Sequence, residues 1–327
     1  MGIIRNKKIF LTIAVLIILL SVGVIATFGL KAGIDFTGGS LTEVRYSTLP
    51  EKSEVEAAIA PLNLGTVAVR AAASSAGNGY MITTRSLSEP ERTTLEGKLQ
   101  SIGTEGKITQ FTSIGPVIGQ ELKDKAVWAI GAVLTLIICY VAFAFSGIGK
   151  PVSSWIYGFT TIVVLGHDIL LPVAFMSVYG HYTGAQLDVL FITALLTVLG
   201  FSVNDTIVIF DRIREKLKQN RTESKKTVPV TGGKDHVEIT YKLTRPFGEL
   251  VDEAINETMT RSINTSLTVL LALVALYFFG SSVTHTFVLT LMVGVVFGAY
   301  SSIFIASPLL VVYQEWLAKN EVKGNRK

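Results

Sequence analysis

Three groups of polar residues interrupt otherwise apolar stretches: His167–Asp168, Asn204–Asp205 and Arg261. An ionisable group in hydrocarbon costs about 3 kcal/mol or more, and such groups mark ion or proton pathways. An aspartate placed there can take and lose a proton, a neighbouring asparagine can hydrogen-bond either form, and a guanidinium can pair with the charged form. Asp205 with Arg261 therefore reads as a proton-relay site, with Asn204 setting its affinity. The competing reading is a structural ion pair, although burying a pair is seldom favourable for stability alone. Asp168 stands between a relay and a structural role. The four histidines are scattered, so no metal site is expected, and no phosphate loop or nucleophile triad is present. No catalytic residue, cofactor or metal is expected, and the chain does not read as an enzyme.

These groups need helices within a bilayer to position them. The chain of 327 residues is 49% hydrophobic and 17% charged, with mean hydropathy +0.50, which is unlike a soluble globule. A spanning helix needs about 20 mostly apolar residues. Six such spans are expected: Ile9–Leu30, Ala126–Gly149, Ser153–Tyr179, Leu187–Phe210, and two from the uncharged run Ser262–Gln314, divided at Gly280–His285. The first follows Arg5, Lys7 and Lys8 but is too long for a signal peptide, so an uncleaved anchor is expected. Cys139 excludes an intrachain disulfide and reads as packing.

Lysine and arginine placement sets the expected orientation. Three precede span one, Lys150 lies between spans two and three, ten occur from Arg212 to Arg245 and four follow span six, whereas Gly180–Gln186 and Gly280–His285 have none. Residues 1–8 and 315–327 are thus expected in the cytoplasm, with 9–30 as span one and 31–125 on the other side of the membrane. Residues 126–314 hold spans two to six, including a cytoplasmic loop 211–260. Asp211, Arg212 and Arg214 read as interfacial.

The outer segment shows strand, helix, two strands, helix and strand. The expected elements are Leu41–Tyr46, Glu54–Leu62 behind a Ser53/Glu56 capping box, Thr66–Ala72, Tyr80–Arg85, a helix to Ser101 behind a Ser88/Glu91 box, and Lys107–Ser113. Ser74–Gly79 reads as the turn of a hairpin. This βαββαβ order is that of a ferredoxin-like α+β domain. The fold class is thus an α-helical polytopic membrane protein of six transmembrane helices, with that domain between helices one and two.

Two spans carry polar stripes at helical spacing, Thr193, Thr197, Gly200, Asn204 and Asp211 in one and Arg261, Asn264, Thr265 and Thr268 in the other; lipid should face neither. Gly294, Gly298, Ser302 and Ala306 form a small-residue ridge for helix packing.

GIDFTGGS at Gly33–Ser40, GPVIGQEL at Gly115–Leu122, His167–Asp168, GFSVNDTIVIFDRIRE at Gly200–Glu215 and INETMTRSINTSLT at Ile255–Thr268 resemble the SecF branch of the SecD/SecF family. The family often has Arg-Thr where this chain has Arg261–Ser262. Its connection between spans four and five is usually shorter than Arg221–Glu249, where VPVTGGKDHVEITYKL reads as a local hairpin. The resemblance implies one half of a resistance-nodulation-division (RND) type bundle. It also implies SecD as partner, the SecYEG channel, YajC and a translocating polypeptide as further contacts, and export driven by proton motive force. Membrane lipids surround the chain, and nucleic acid is not an expected partner. Gly33, Asp35, Phe36, Gly38, Gly39, Gly115 and Pro116 are candidate coupling residues on the same ground, with ordinary loop use of glycine as an equal reading. Two other functions fit the charges: a proton-coupled exporter of small molecules or lipids, and an assembly scaffold.

Overall fold

The structure, a computed structural model, describes residues 2–74, 77–103, 105–145, 153–228 and 236–324. Helix α1, Lys7–Phe28, is followed by a short helix α2, Ile34–Thr37. The exposed domain then runs β1 Gly39–Arg45, α3 Lys52–Ile59, β2 Ala68–Ser74, β3 Gly77–Thr84, α4 Glu89–Ser101 and β4 Lys107–Ile114. Its sheet has the order β2-β3-β1-β4 with every neighbouring pair antiparallel, which is the ferredoxin-like arrangement. Alternating residues of the strands and the inner faces of α3 and α4 form its core, including Val44, Val55, Ile82, Leu95 and Leu99. Residues 75 and 76 of the expected turn lie outside the described residues.

One of the two expected capping boxes forms. Ser88 and Glu91 close the start of α4, and the Glu91 carboxylate accepts from the Ser88 backbone N–H at 2.9 Å. The Arg85 guanidinium, aided by these bonds, holds the Glu91 carboxyl well below the usual range, at about 2. The Ser53/Glu56 box does not form. Glu51 is the extended residue before α3, so Ser53 already lies in the first turn, where its hydroxyl donates to Glu51 Oε2 at 3.3 Å.

Among the described residues, six helical segments are long and apolar enough to cross a membrane. They are α1; α5, Pro116–Ala144; α6, Ser154–Thr183; α7, Val189–Gln219; α8, Phe247–Phe279; and a last segment made of α9, His285–Ser301, a π-helical turn Ser302–Ala306 and α10, Ser307–Gly324. The chain is a multi-pass membrane protein. Helix α5 starts at Pro116, ten residues before the expected span, because proline suits a first helical position and the polar turns that follow simply extend the helix. The far end of that span and Lys150 lie outside the described residues. Cys139 is exposed on α5 rather than packed inside.

Helices α7 and α8 also run past the apolar runs. Their extensions are joined by Arg212 to Glu257 at 2.5 Å, Lys216 to Glu257 at 2.8 Å, and Lys216 to Glu253. Arg214 pairs with Asp211 at 3.5 Å within α7. Beyond them β5, Arg221–Val228, and β6, His236–Leu243, pair as an antiparallel hairpin. Its first strand therefore precedes the segment expected to supply it, and the residues between the strands lie outside the described ones. In the bundle α9 packs on α6, α7 and α8, which places the small-residue ridge in the middle.

Candidate functional site

The centre of the bundle holds a carboxylate fully removed from the surface. Asp168 on α6 has no exposed area, and its Oδ2 accepts from Ser202 on α7 and from Ser301 on α9 at 2.7 Å. His167 Nδ1 lies 2.8 Å from Oδ1, while His167 Nε2 is buried with no hydrogen-bond partner among the described residues. One turn along, Thr206 and Ser302 share a hydroxyl pair at 3.0 Å. Ser302 begins the π-helical turn, a local widening that places Ser301 and Ser302 toward different partners.

Asp205 lies on the other side of this wall. It lines a cavity of about 200 Å3 with Asn204, Ser202, Ser266 and Gly298. Among the described residues its carboxylate has one hydrogen bond, a long one accepted from Ser266 at 3.5 Å. The expected pair with Arg261 is not closed: among the described residues no ion pair joins them within 4.0 Å, Arg261 does not line the cavity, and it is exposed on α8. Ser202 touches both regions, since it donates to Asp168 and also lines the Asp205 cavity.

The two glycines of the ridge do different work. A Cβ at Gly294 would lie 2.1 Å from Val198 Cγ2, so the absent side chain lets α9 approach α7. A Cβ at Gly298 would meet Ser202 Cβ at 3.4 Å and Asp168 Oδ2 at 3.9 Å, so its absence leaves room beside both carboxylates. Of the polar stripes on α7 and α8, Asn204, Thr265 and Thr268 border the Asp205 cavity. Thr193, Asn204, Arg261, Asn264, Thr265 and Thr268 are exposed on this chain, and the Thr193, Thr265 and Thr268 hydroxyls bond carbonyls of their own helices.

At the opposite end of α7 the coupling residues come together. Gly33 N–H donates to the Leu187 carbonyl at 2.7 Å, and Leu187 N–H donates to Lys31 at 2.8 Å. The Asp35 carboxylate accepts from Val189 N–H at 2.8 Å and Asp188 from Phe191 N–H at 2.8 Å, so two acids satisfy the start of α7. Gly38 has φ +72°, and a Cβ there would stand 2.8 Å from Pro116 Cα and 3.3 Å from the Gly115 carbonyl carbon. The backbone of Phe36 lies against Gly119 of α5. Gly39 passes so near the Thr84 carbonyl that a Cβ would come within 2.6 Å. Glu43, buried in β1 beside a bulge, accepts from Ser282 between α8 and α9 at 3.2 Å. The segment after α1, the start of α5 and the start of α7 therefore form one junction between the sheet and the bundle.

Sequence reading missed Ser202, Ser301 and Asp188. The signal available for the serines was their position on faces bounded by large apolar residues, but an isolated serine in a span also bonds its own helix.

Residues 94–316 match the family described as protein export membrane protein SecD/SecF, C-terminal, and residues 23–48 match the SecD/SecF GG motif. The chain belongs to the SecD/SecF family. Within it, the protein translocase subunit SecF of Thermobaculum terrenum is 35% identical over 321 residues, covering 95% of this chain and 93% of that one. The SecDF subunit of Thermus thermophilus is 32% identical over 90% of this chain and 36% of its own length. The crystal structure of SecDF from Thermus, described as a translocon-associated membrane protein, superposes with TM-score 0.77 at 29% identity. It covers 96% of this chain, which spans about two fifths of that one, 39%. The GG motif of the SecD/SecF family contains the Gly38–Gly39 pair that lies against Pro116 and Thr84 here.

Proposed function

We propose that this chain is the SecF-type half of a protein-export machine. It works with a SecD partner beside the SecYEG channel, with YajC as a further neighbour, and uses proton motive force to promote a late, extracytoplasmic stage of polypeptide translocation. Its location is the bacterial inner membrane, with both termini in the cytoplasm and the ferredoxin-like domain outside. It acts as a coupling subunit and not as an enzyme. The SecDF relatives, in which a matching region is fused to more chain, support the partnership.

One observation carries the mechanism: Asp205 lines a cavity whose wall includes Ser202, and Ser202 is bonded to the sealed Asp168. Asp205 takes the proton in this cavity, where Asn204 can bond either form of the carboxyl. Asp168 holds the wall in place through Ser202 and Ser301. Arg261 pairs with Asp205 in the unprotonated stage of the cycle and stands apart in the arrangement described. One charge moved across 100 mV is worth about 2.3 kcal/mol, enough to drive a two-state change. Because α7 carries Asp205 and is capped at its other end by Asp35, a change around Asp205 reaches the junction and the sheet through a single helix.

Replacing Asp205 with Asn tests this. In an assembled export complex, stimulation by a proton gradient should fall roughly tenfold or more, while gradient-independent export stays. Stimulation equal to that of the parent, with normal assembly, would overturn the reading.

A further inference from the structure

We propose that the groove between α1, α6 and α10 is a binding site for one anionic phospholipid. At its polar end, a hollow of about 510 Å3 is lined by Lys7, Lys8, Lys319, Glu315 and Trp316. Lys7 bonds Glu315, so three lysines facing one glutamate leave two positive charges open to a headgroup. The hollow continues, through the shared residues Val312 and Trp316, into a second of about 270 Å3 walled by Phe159, Val163 and Leu309. Phe159 remains 64% exposed and Val163 39%, an apolar channel that no side chain of the described residues fills.

The dimensions fit a lipid in one leaflet. Leu309 and Lys319 lie ten residues apart on α10, about 15 Å along a helix, and half of a hydrocarbon core is also about 15 Å. Trp316 sits between the charged and apolar parts, where an amphipathic ring marks the membrane–water boundary. Lysines with aliphatic stems on the apolar wall and ammonium groups in water recognise a phosphate that carries net negative charge, and they gain less from a zwitterionic headgroup. A soluble phosphate would satisfy the lysines but leave the channel empty.

The test uses the full chain with Trp128→Phe and Trp155→Phe, both outward-facing positions, so that Trp316 is the single tryptophan. It is reconstituted in phosphatidylcholine vesicles containing a small fraction of chain-brominated phosphatidylglycerol or chain-brominated phosphatidylethanolamine. Brominated phosphatidylglycerol should quench Trp316 roughly fivefold more effectively. The Lys8→Gln/Lys319→Gln double variant should lose the preference, and so should Val163→Phe, which fills the channel and keeps the lysines. Inorganic phosphate should leave quenching unchanged. Equal quenching by both lipids overturns the proposal. A preference that survives Val163→Phe also overturns it, by reducing the site to a diffuse basic patch. Displacement by inorganic phosphate, or no quenching by either lipid, overturns it as well, the latter because the groove is then closed to lipid.

Discussion

Asp168 and Asp205 face each other across Ser202, yet their surroundings differ in kind. Asp168 has no exposed area and meets His167, Ser202 and Ser301 from three directions, all on elements fixed by close helix packing. Asp205 has one bond of 3.5 Å and borders a cavity of about 200 Å3. A group satisfied on every side resists change, since each partner would be left unpaired. A group with one weak bond and adjoining space can exchange partners at small cost. The contrast assigns fixity to one carboxylate and change to the other, although both were legible in the sequence as acids within apolar spans.

The largest test of this contrast is loss of the sealed carboxylate. Asp168→Ala should destabilise the protein by about 2–5 kcal/mol, because it takes the buried partner from His167 and Ser202 and leaves Ser301 only the Gly298 carbonyl of its own helix. Asp205→Ala should cost less than about 1 kcal/mol, its one bond being weak. Thermal unfolding of the purified chain in detergent measures both. Equal losses would remove the distinction.

A finer test uses the ridge on α9. Gly294→Ala drives a methyl group into Val198 and should cost about 1–3 kcal/mol by overpacking. Gly298→Ala makes ordinary contacts and should cost less than about 1 kcal/mol, but it narrows the space beside Asp205. The two substitutions are the same change four residues apart on one helix. If Gly298→Ala reduces gradient-driven export with little loss of stability, while Gly294→Ala acts through stability alone, the cavity and not the packing serves the proton. The opposite ranking would place the tight seam at Gly298 instead.

How much of this could be read from the chain follows from where the information lies. The βαββαβ order, the Ser88/Glu91 box and the six spans depend on residues within a few positions of one another, and periodicity or capping chemistry expresses them directly. The partners of Asp168 lie 34 and 133 residues away, and a serine in a span gives no sign of which helix it will meet. The helical spacing of the threonine stripes on α7 and α8 predicts faces turned from lipid, which does not tell what their hydroxyls bond. Their hydroxyls bond their own backbone, which satisfies them without a neighbour. Ser53 misled for a local reason, since an extended Glu51 starts α3 two residues early. The pair Asp205–Arg261 was correctly placed on neighbouring spans, but spacing along a helix fixes neither depth nor side-chain reach.

The smallest effect concerns an acid outside the membrane, which serves as the reference for the two inside. Glu91 stands in water at the start of α4, where Arg85 and the Ser88 backbone favour its charged form and hold its carboxyl at about 2 against an ordinary 4.5. The folded state therefore binds this proton less readily than the unfolded chain does. The resulting stabilisation is present in full above about pH 4.5 and is lost as the pH falls toward 2. Exposure to solvent keeps it small. Hydrogen exchange of the α4 and β3 amides, followed across that window, should show the gap between parent and Glu91→Gln closing as pH decreases. A gap constant with pH would mean that packing at the helix start, and not the carboxylate charge, sets the stability of this corner. Glu91 would then no longer provide the charged, water-exposed standard against which the sealed Asp168 and the cavity-lining Asp205 are compared.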